Sequence, residues 1–196
     1  MTDIARFRVA KLAQSVENVL GGNGRPIFKS ANLLWSELRP WEKDQQAPIF
    51  EQDDACIYAL VRNHGRSHRR DIIEYIGITK NPHSRFYNHA VAQEIVKLKG
   101  TTSLAIAPVN FISGRNNIRN RDMALQEIEH ILIWAAQPRY NIKKNYTLPG
   151  LGKNRGHAWH IINGGYRFAG QLPIEIIYPW MLFIPGRNRA LRTQES

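Results

Sequence analysis

Residues 55–62, Ala-Cys-Ile-Tyr-Ala-Leu-Val-Arg, and residues 71–79, Asp-Ile-Ile-Glu-Tyr-Ile-Gly-Ile-Thr, decide how the chain folds. Both are short runs rich in β-branched and aromatic residues. The polar stretch Asn63-His64-Gly65-Arg66-Ser67-His68-Arg69-Arg70 separates them. Runs of this kind, bounded by polar and glycine-containing segments, read as strands, so the pair predicts an antiparallel hairpin with a long basic loop. Tyr58 lies in the first strand and Tyr75 in the second. Asn81-Pro82 then opens a helix, because proline at the first helical position lacks an N–H that would have no partner there. That helix is expected to run to about residue 98, before Gly100, which places Arg85 and His89, four residues apart, on one face. Two phenols, a guanidinium and an imidazole are thereby gathered beside the hairpin.

Working outward, residues 102–112 read as a third strand, with Pro108 marking an edge or a bulge. Residues 119–137 read as a long helix closed by Pro138. On the N-terminal side, Ile4, Phe7, Leu12, Val16, Val19 and Leu20 recur near helical period, and Gly21-Gly22 ends that helix. Ser30 caps a second short helix over residues 31–38, stopped by Pro40. On the C-terminal side, residues 147–156 form a glycine-rich loop, and residues 159–162 and 174–184 a further β element interrupted by Pro179. The expected class is α+β: a small three-stranded antiparallel sheet flanked by helices. Residues 55–146 form the core, residues 1–54 a helical extension, and residues 147–196 a mixed or β extension that contacts the partner.

The chain has 196 residues, 43% of them hydrophobic, which suits one domain with extensions. It carries 27 Lys+Arg against 16 Asp+Glu, a formal charge of +11, and its pI is about 10.1. A polyanionic partner is the first expectation. An anionic membrane ranks second, since no basic amphipathic helix or lipidation motif stands out. No uncharged apolar run reaches the roughly 18 residues of a spanning helix, and Met1-Thr2-Asp3-Ile4 has no signal-peptide profile, so a soluble, intracellular protein is expected. Cys56 is the single cysteine; flanked by Ala55 and Ile57, it reads as a buried strand residue, and it rules out an internal disulfide.

The 119–137 helix holds one anomaly. At about 100° per residue, Glu129 falls about 40° from Leu125, on the apolar arc about 20° beyond Ala136 and on the same side as Ile128 and Leu132, whereas Glu127 falls about 200° round, on the polar side. A carboxylate on a buried arc needs a cation or several donors, because burying it unpaired is very costly. A salt bridge to Arg or Lys would satisfy it, and so would a divalent metal ion.

Taken singly, each of these residues has an ordinary explanation. Tyrosine is common in strands, and Arg85 and His89 could be a solvated helix face. His64 and His68 are four apart, but Gly65 between them argues against a helical metal pair. The conjunction carries more. Cys56-Ile57-Tyr58, Tyr75-Ile76-Gly77, an arginine ten residues beyond Tyr75, a histidine one turn later, and Glu129 ahead of Pro138-Arg139-Tyr140-Asn141 form an ordered set that resembles the GIY-YIG nuclease superfamily. The resemblance covers about residues 55–144. It departs from the family pattern in two places: Cys56 replaces the glycine of the first tripeptide, and the segment between the tyrosines is longer and basic.

The resemblance implies a metal-dependent DNA endonuclease that hydrolyses phosphodiester bonds. Its catalytic set would be Tyr58, Tyr75, Arg85, His89, Glu129 and Asn141, with one Mg²⁺ or Mn²⁺ on Glu129. Tyr58 would activate the attacking water as a phenolate or through a proton relay, with Arg85 or His89 favouring its deprotonation. Arg85 would clamp the phosphate, and Tyr75 would position the water or a phosphate oxygen. His89 would share the relay, and Asn141 would hold the geometry or the ion's water shell. Double-stranded DNA is the expected partner, contacted by Arg62, Arg66, Arg69, Arg70, Lys80, Lys143, Lys144, Lys153 and Arg155, with Arg187, Arg189 and Arg192 adding phosphate contacts. Such contacts position nucleic acid without reading it. Site-specific, restriction-like cleavage by a homodimer is the leading expectation. Homing, phage and repair-type nicking nucleases are its competitors, and a nucleic-acid-binding module without the reaction is the alternative of another class. No small-molecule cofactor is expected.

Overall fold

In a computed structural model, residues 16, 19–20, 24, 26–51, 54–64, 70–86, 89–112, 121–149 and 157–178 are described. The expected N-terminal helix lies largely outside them, as do most of the basic loop and most of the glycine-rich loop.

Strand β3, Cys56–Asn63, is buried on both faces from Cys56 to Arg62, as a strand must be when layers cover both sides of its sheet. It pairs antiparallel with β4, Ile72–Thr79, and with β5, Thr101–Phe111. The hairpin and the third strand are therefore where the sequence placed them. The sheet does not stop there. Strand β1, Phe28–Trp35, joins β5 antiparallel at Ala31–Phe111 to Leu33–Val109, and runs parallel to β6, Ala158–Gly165. Strand β7, Glu175–Tyr178, pairs antiparallel with β6, and the short β2, Arg39–Pro40, lies along β5. The result is a seven-stranded mixed sheet of order β4-β3-β5-β1-β6-β7, with β2 off that path.

The α+β class stands, but the three-stranded sheet is too small. A sheet ending at β5 would expose eleven residues of unpaired edge, which folds generally cover, and here β1 and β2 cover it. The short helix capped by Ser30 is also corrected. Ala31, Leu33 and Trp35 are buried while Leu34 is 65% exposed, a period of two that pairing on both sides enforces over local helix propensity. Pro108 sits where β5 is paired with β3 alone, so the expected edge position holds locally although β5 is central in the sheet. It lies opposite Cys56, on the stretch of β5 between its β2 and β1 pairings.

Asn81 caps helix α1, Pro82–Arg85, its side chain accepting from the Ser84 N–H at 3.2 Å. The expected continuation to residue 98 is broken. His89 is extended (φ −87°, ψ 92°), and its side chain caps a separate helix α2, Ala90–Val96. Helix α3, Arg121–Ala136, packs Leu125, Ile128 and Leu132 against Ile57, Ala59, Ile76 and Ala105 on one face of the sheet. Burying each such aliphatic side chain contributes about 1.5–3 kcal/mol. On the opposite face, Tyr58, Leu60, Leu104 and Ile106 meet Phe86, Ala92 and Ile95 together with Trp41 and Phe50. After α3 the chain turns at Gln137 (φ 51°) and reaches α4, Ile142–Asn145. Among the described residues, no helix is long and apolar enough to cross a membrane.

Candidate active site

Tyr58 on β3 stands opposite Gly77 on β4, and Tyr75 points to the same face two residues earlier. A Cβ at Gly77 would lie 2.5 Å from Cζ and Oη of Tyr58 and 2.9 Å from Cε1 of Tyr75. Glycine is therefore what lets the Tyr58 ring lie flat across β4. The tilted tyrosine rings sit 6.0 Å apart between centroids. Edge-on packing against Phe86 at 5.1 Å and against His89 at 5.7 Å holds Tyr58 in place, and His89 also meets Tyr75 at 5.3 Å.

The hydrogen bonds within this cluster have a direction. His89 Nδ1 accepts from the Ala92 N–H at 3.1 Å, so the neutral imidazole carries its proton on Nε2. That proton is donated to the Tyr58 hydroxyl oxygen, 2.6 Å away. Arg85 and Tyr75 are the other hydrogen-bonding neighbours of this hydroxyl. Since a guanidinium has no acceptor, the Tyr58 O–H is donated to Tyr75. The order is His89 to Tyr58 to Tyr75, and partly exposed Tyr75 is its outer end.

The electrostatics agree with that order. Burial, and then Tyr75, push the Tyr58 hydroxyl far above its ordinary pKa, outweighing Arg85. Burial raises Tyr75 as well, with the charge of Glu129 adding to it and Tyr58 and Arg85 opposing. His89 is lowered by burial and by Arg85. Burial works against the Arg85 charge, but Tyr58, Tyr75 and Glu129 outweigh it and hold Arg85 above its usual value. Tyr58 is 0% exposed, so of the two roles expected of it, phenolate or member of a proton relay, its burial favours the second. Tyr75 is the more exposed phenol of the pair. Arg85 and His89 also belong to different elements, not to one helix face.

Glu129 is 6% exposed, as its place on the apolar arc required. Its Oε2 accepts from Lys144 Nζ, and its charge is felt at both Tyr75 and Arg85. Lys144 reaches it because the chain after α3 is fastened to the outer edge of β4. The Tyr140 N–H donates to the Glu74 carbonyl at 3.0 Å. The Asn141 amide receives the Ile76 N–H and donates to the Ile76 carbonyl, both at 2.8 Å. Asn141 thus spends its side chain on strand geometry. Among the described residues no three His, Cys, Asp or Glu side chains come together as a metal site, so the protein's share in holding a cation here would be Glu129 alone. One carboxylate plus water and substrate phosphate is an ordinary Mg²⁺ donor set, and it fits provided Lys144 releases the oxygen it holds.

The basic residues expected at a nucleic-acid surface divide. Arg62 is corrected: it is 3% exposed, its guanidinium donates to the Lys99 carbonyl, and it ties the end of β3 to the turn before β5. Lys80 is exposed but paired with Asp122 at 2.5 Å. Lys144, expected on phosphate, is the partner of Glu129. Arg70 and Lys143 are exposed. Arg66, Arg69, Lys153, Arg155 and the C-terminal arginines Arg187, Arg189 and Arg192 lie outside the described residues. Glu127, expected on the polar side of its helix, accepts from Trp159 Nε1 at 2.6 Å and contacts His157 at 3.1 Å. Cys56 is 0% exposed and its thiol is pushed up to about 12 by burial, which makes it packing and not a nucleophile. Sequence reasoning missed Phe86 and the pairing role of Lys144. Phe86 stands beside Arg85 in the motif, but nothing local to Lys144 points fifteen residues back to Glu129.

Scans against protein-family models, curated proteins and solved structures each found no match.

Proposed function

We propose that the protein is a metal-dependent DNA endonuclease. The observation that carries this reading is the convergence of Tyr58, Tyr75, Arg85 and His89 within direct contact, with the charge of Glu129 acting on the same groups. Ordinary strand packing has no use for a buried phenol–imidazole chain whose outer member, Tyr75, is only half-buried. Phosphodiester hydrolysis needs donors aimed at developing negative charge. Arg85 offers a planar fork to the scissile phosphate. Tyr75 donates its free O–H to a phosphoryl or leaving oxygen, and each donor behind it strengthens that bond. His89, fixed by its cap, orients the chain without taking up the proton. A divalent cation on Glu129 would supply an acidified water as nucleophile and positive charge against the phosphoryl oxygens.

The net charge of +11 and exposed Arg70 and Lys143 support a polyanionic substrate. Site-specific double-strand cleavage by a homodimer is the form of the activity we favour. A second reading rests on the Lys144–Glu129 contact. If Lys144 is a permanent partner, the protein binds nucleic acid without cutting it. Incubation with supercoiled plasmid and Mg²⁺ or Mn²⁺ separates the two readings. Nicked or linear product supports the nuclease, with defined ends marking a site-specific one. Intact plasmid that is nevertheless bound supports the module.

A further inference from the structure

Helix α4 is a single turn with two faces. At about 100° per residue, Ile142 and Tyr146 share one of them, and Lys144 falls about 200° round, on the other, where its ammonium reaches Glu129. The outward face is bare. Tyr146 is 86% exposed and Ile142 66%, although an aromatic side chain is among the largest apolar surfaces a fold can bury. The turn that carries them is firmly held. The Asn141 side chain is bonded to both backbone groups of Ile76, Asn145 Nδ2 donates to the Pro138 carbonyl at 2.7 Å, and His130 Nε2 donates to the Thr147 carbonyl at 2.9 Å. The segment is thus pinned to β4 at its start and to α3 at its end. A single exposed apolar residue is ordinary, but two on one face of a pinned turn form a preorganised contact, which loses little freedom when a partner covers it.

The surroundings define the partner. Residues 138–149, Pro-Arg-Tyr-Asn-Ile-Lys-Lys-Asn-Tyr-Thr-Leu-Pro, contain three basic residues and no acidic one. With Lys144 taken up by Glu129, Arg139 and Lys143 remain exposed beside the apolar pair. An exposed aromatic ring interleaved with cations suits a nucleic acid, whose base steps accept apolar side chains and whose phosphates attract the cations. The position agrees. A helix is about 10–12 Å across and a nucleic-acid strand rises about 3.4 Å per nucleotide, so nucleotides about three or four steps from a phosphate held beside Glu129 come level with Tyr146. We propose that this face of α4 is a flanking nucleic-acid contact, the Tyr146 ring and Ile142 packed against a base step and Lys143 and Arg139 on the adjoining phosphates. The proposal rests on the nucleic-acid reading above, and adds to it a contact that salt does not screen.

A salt series tests it. The full-length protein is titrated with a mixed-sequence DNA duplex, without metal, over a range of KCl concentrations. Tyr146→Ala is expected to weaken binding by about 5- to 150-fold at every concentration, with the slope of log affinity against log salt unchanged. Tyr146→Phe, which keeps the ring, should bind like the wild type, and Lys143→Gln should make the slope shallower by about one. Because Tyr146 is exposed, Tyr146→Ala should leave the urea midpoint where it is, so that lost affinity is not lost fold; a fallen midpoint would mean that the ring packs on the protein and would overturn the proposal. Equal weakening by Phe and Ala would overturn the packed ring. A Tyr146→Ala protein that binds DNA at the wild-type level would overturn the contact while leaving the nuclease reading in place, and if it also sediments as a smaller species than the wild type, the face belongs to a second copy of the chain. Plasmid that is bound but not cut by the wild type, with Tyr146→Ala still weakening binding, would overturn the nuclease reading alone.

Discussion

Gly77 leaves room for the ring of Tyr58: a Cβ there would stand 2.5 Å from its Cζ and Oη. Its φ is not of the left-handed kind, so the requirement is steric and not conformational. Gly77→Ala is expected to displace the Tyr58 ring, at about 1–3 kcal/mol of stability, measured by urea unfolding. An unchanged midpoint with unchanged cleavage would mean the ring does not depend on this space.

Tyr58→Phe removes the middle donor while leaving the ring. Cleavage is expected to fall by about 10²-fold or more with DNA affinity unchanged, read from single-turnover rates and binding isotherms. It also strands the His89 Nε2–H, costing about 1–3 kcal/mol. A phenylalanine variant that cuts at the parental rate would remove Tyr58 from the chemistry.

Acid should reverse the His89 arrangement. Its folded pKa lies below the ordinary value near 6.5, through burial and Arg85. Its contribution to stability is therefore complete above that ordinary value and is lost as pH falls through the lower folded value. Protonation also turns Nδ1 into a donor facing the Ala92 N–H. Unfolding midpoints followed downward from pH 7 should fall more steeply for the wild type than for His89→Gln. Parallel curves would contradict the assignment.

Much of this site was legible before the fold was known. The hairpin, the third strand, the 121–136 helix and the burial of Glu129 all follow from patterns only a few residues long, and local periodicity reports those well. What could not be read depended on distant partners. Residues 31–35 form a strand because β5 and β6 flank them, although Ser30 and Pro40 supply helix boundaries. Arg62 turns inward because the Lys99 carbonyl waits there. The break before His89 had a local signal in hindsight, since histidine can cap with Nδ1, but helical spacing from Arg85 favoured continuity.

Lys144 competes for the oxygen a cation would use. In Lys144→Met the half-saturating Mg²⁺ concentration for cleavage is expected to drop by about two- to fivefold. A variant that binds Mg²⁺ but no longer cuts would place Lys144 on the phosphate instead.

Glu129→Ala tests most directly whether a metal-dependent nuclease site is present. Wild type and variant are compared on plasmid with Mg²⁺ or Mn²⁺, with DNA binding measured separately on the same preparations. The wild type is expected to nick or linearise the plasmid in a metal-dependent way, while Glu129→Ala binds it with similar affinity and leaves it intact. Metal-dependent cutting by Glu129→Ala would remove Glu129 from the chemistry, and bound but uncut plasmid with the wild type would mean that the protein is not a nuclease.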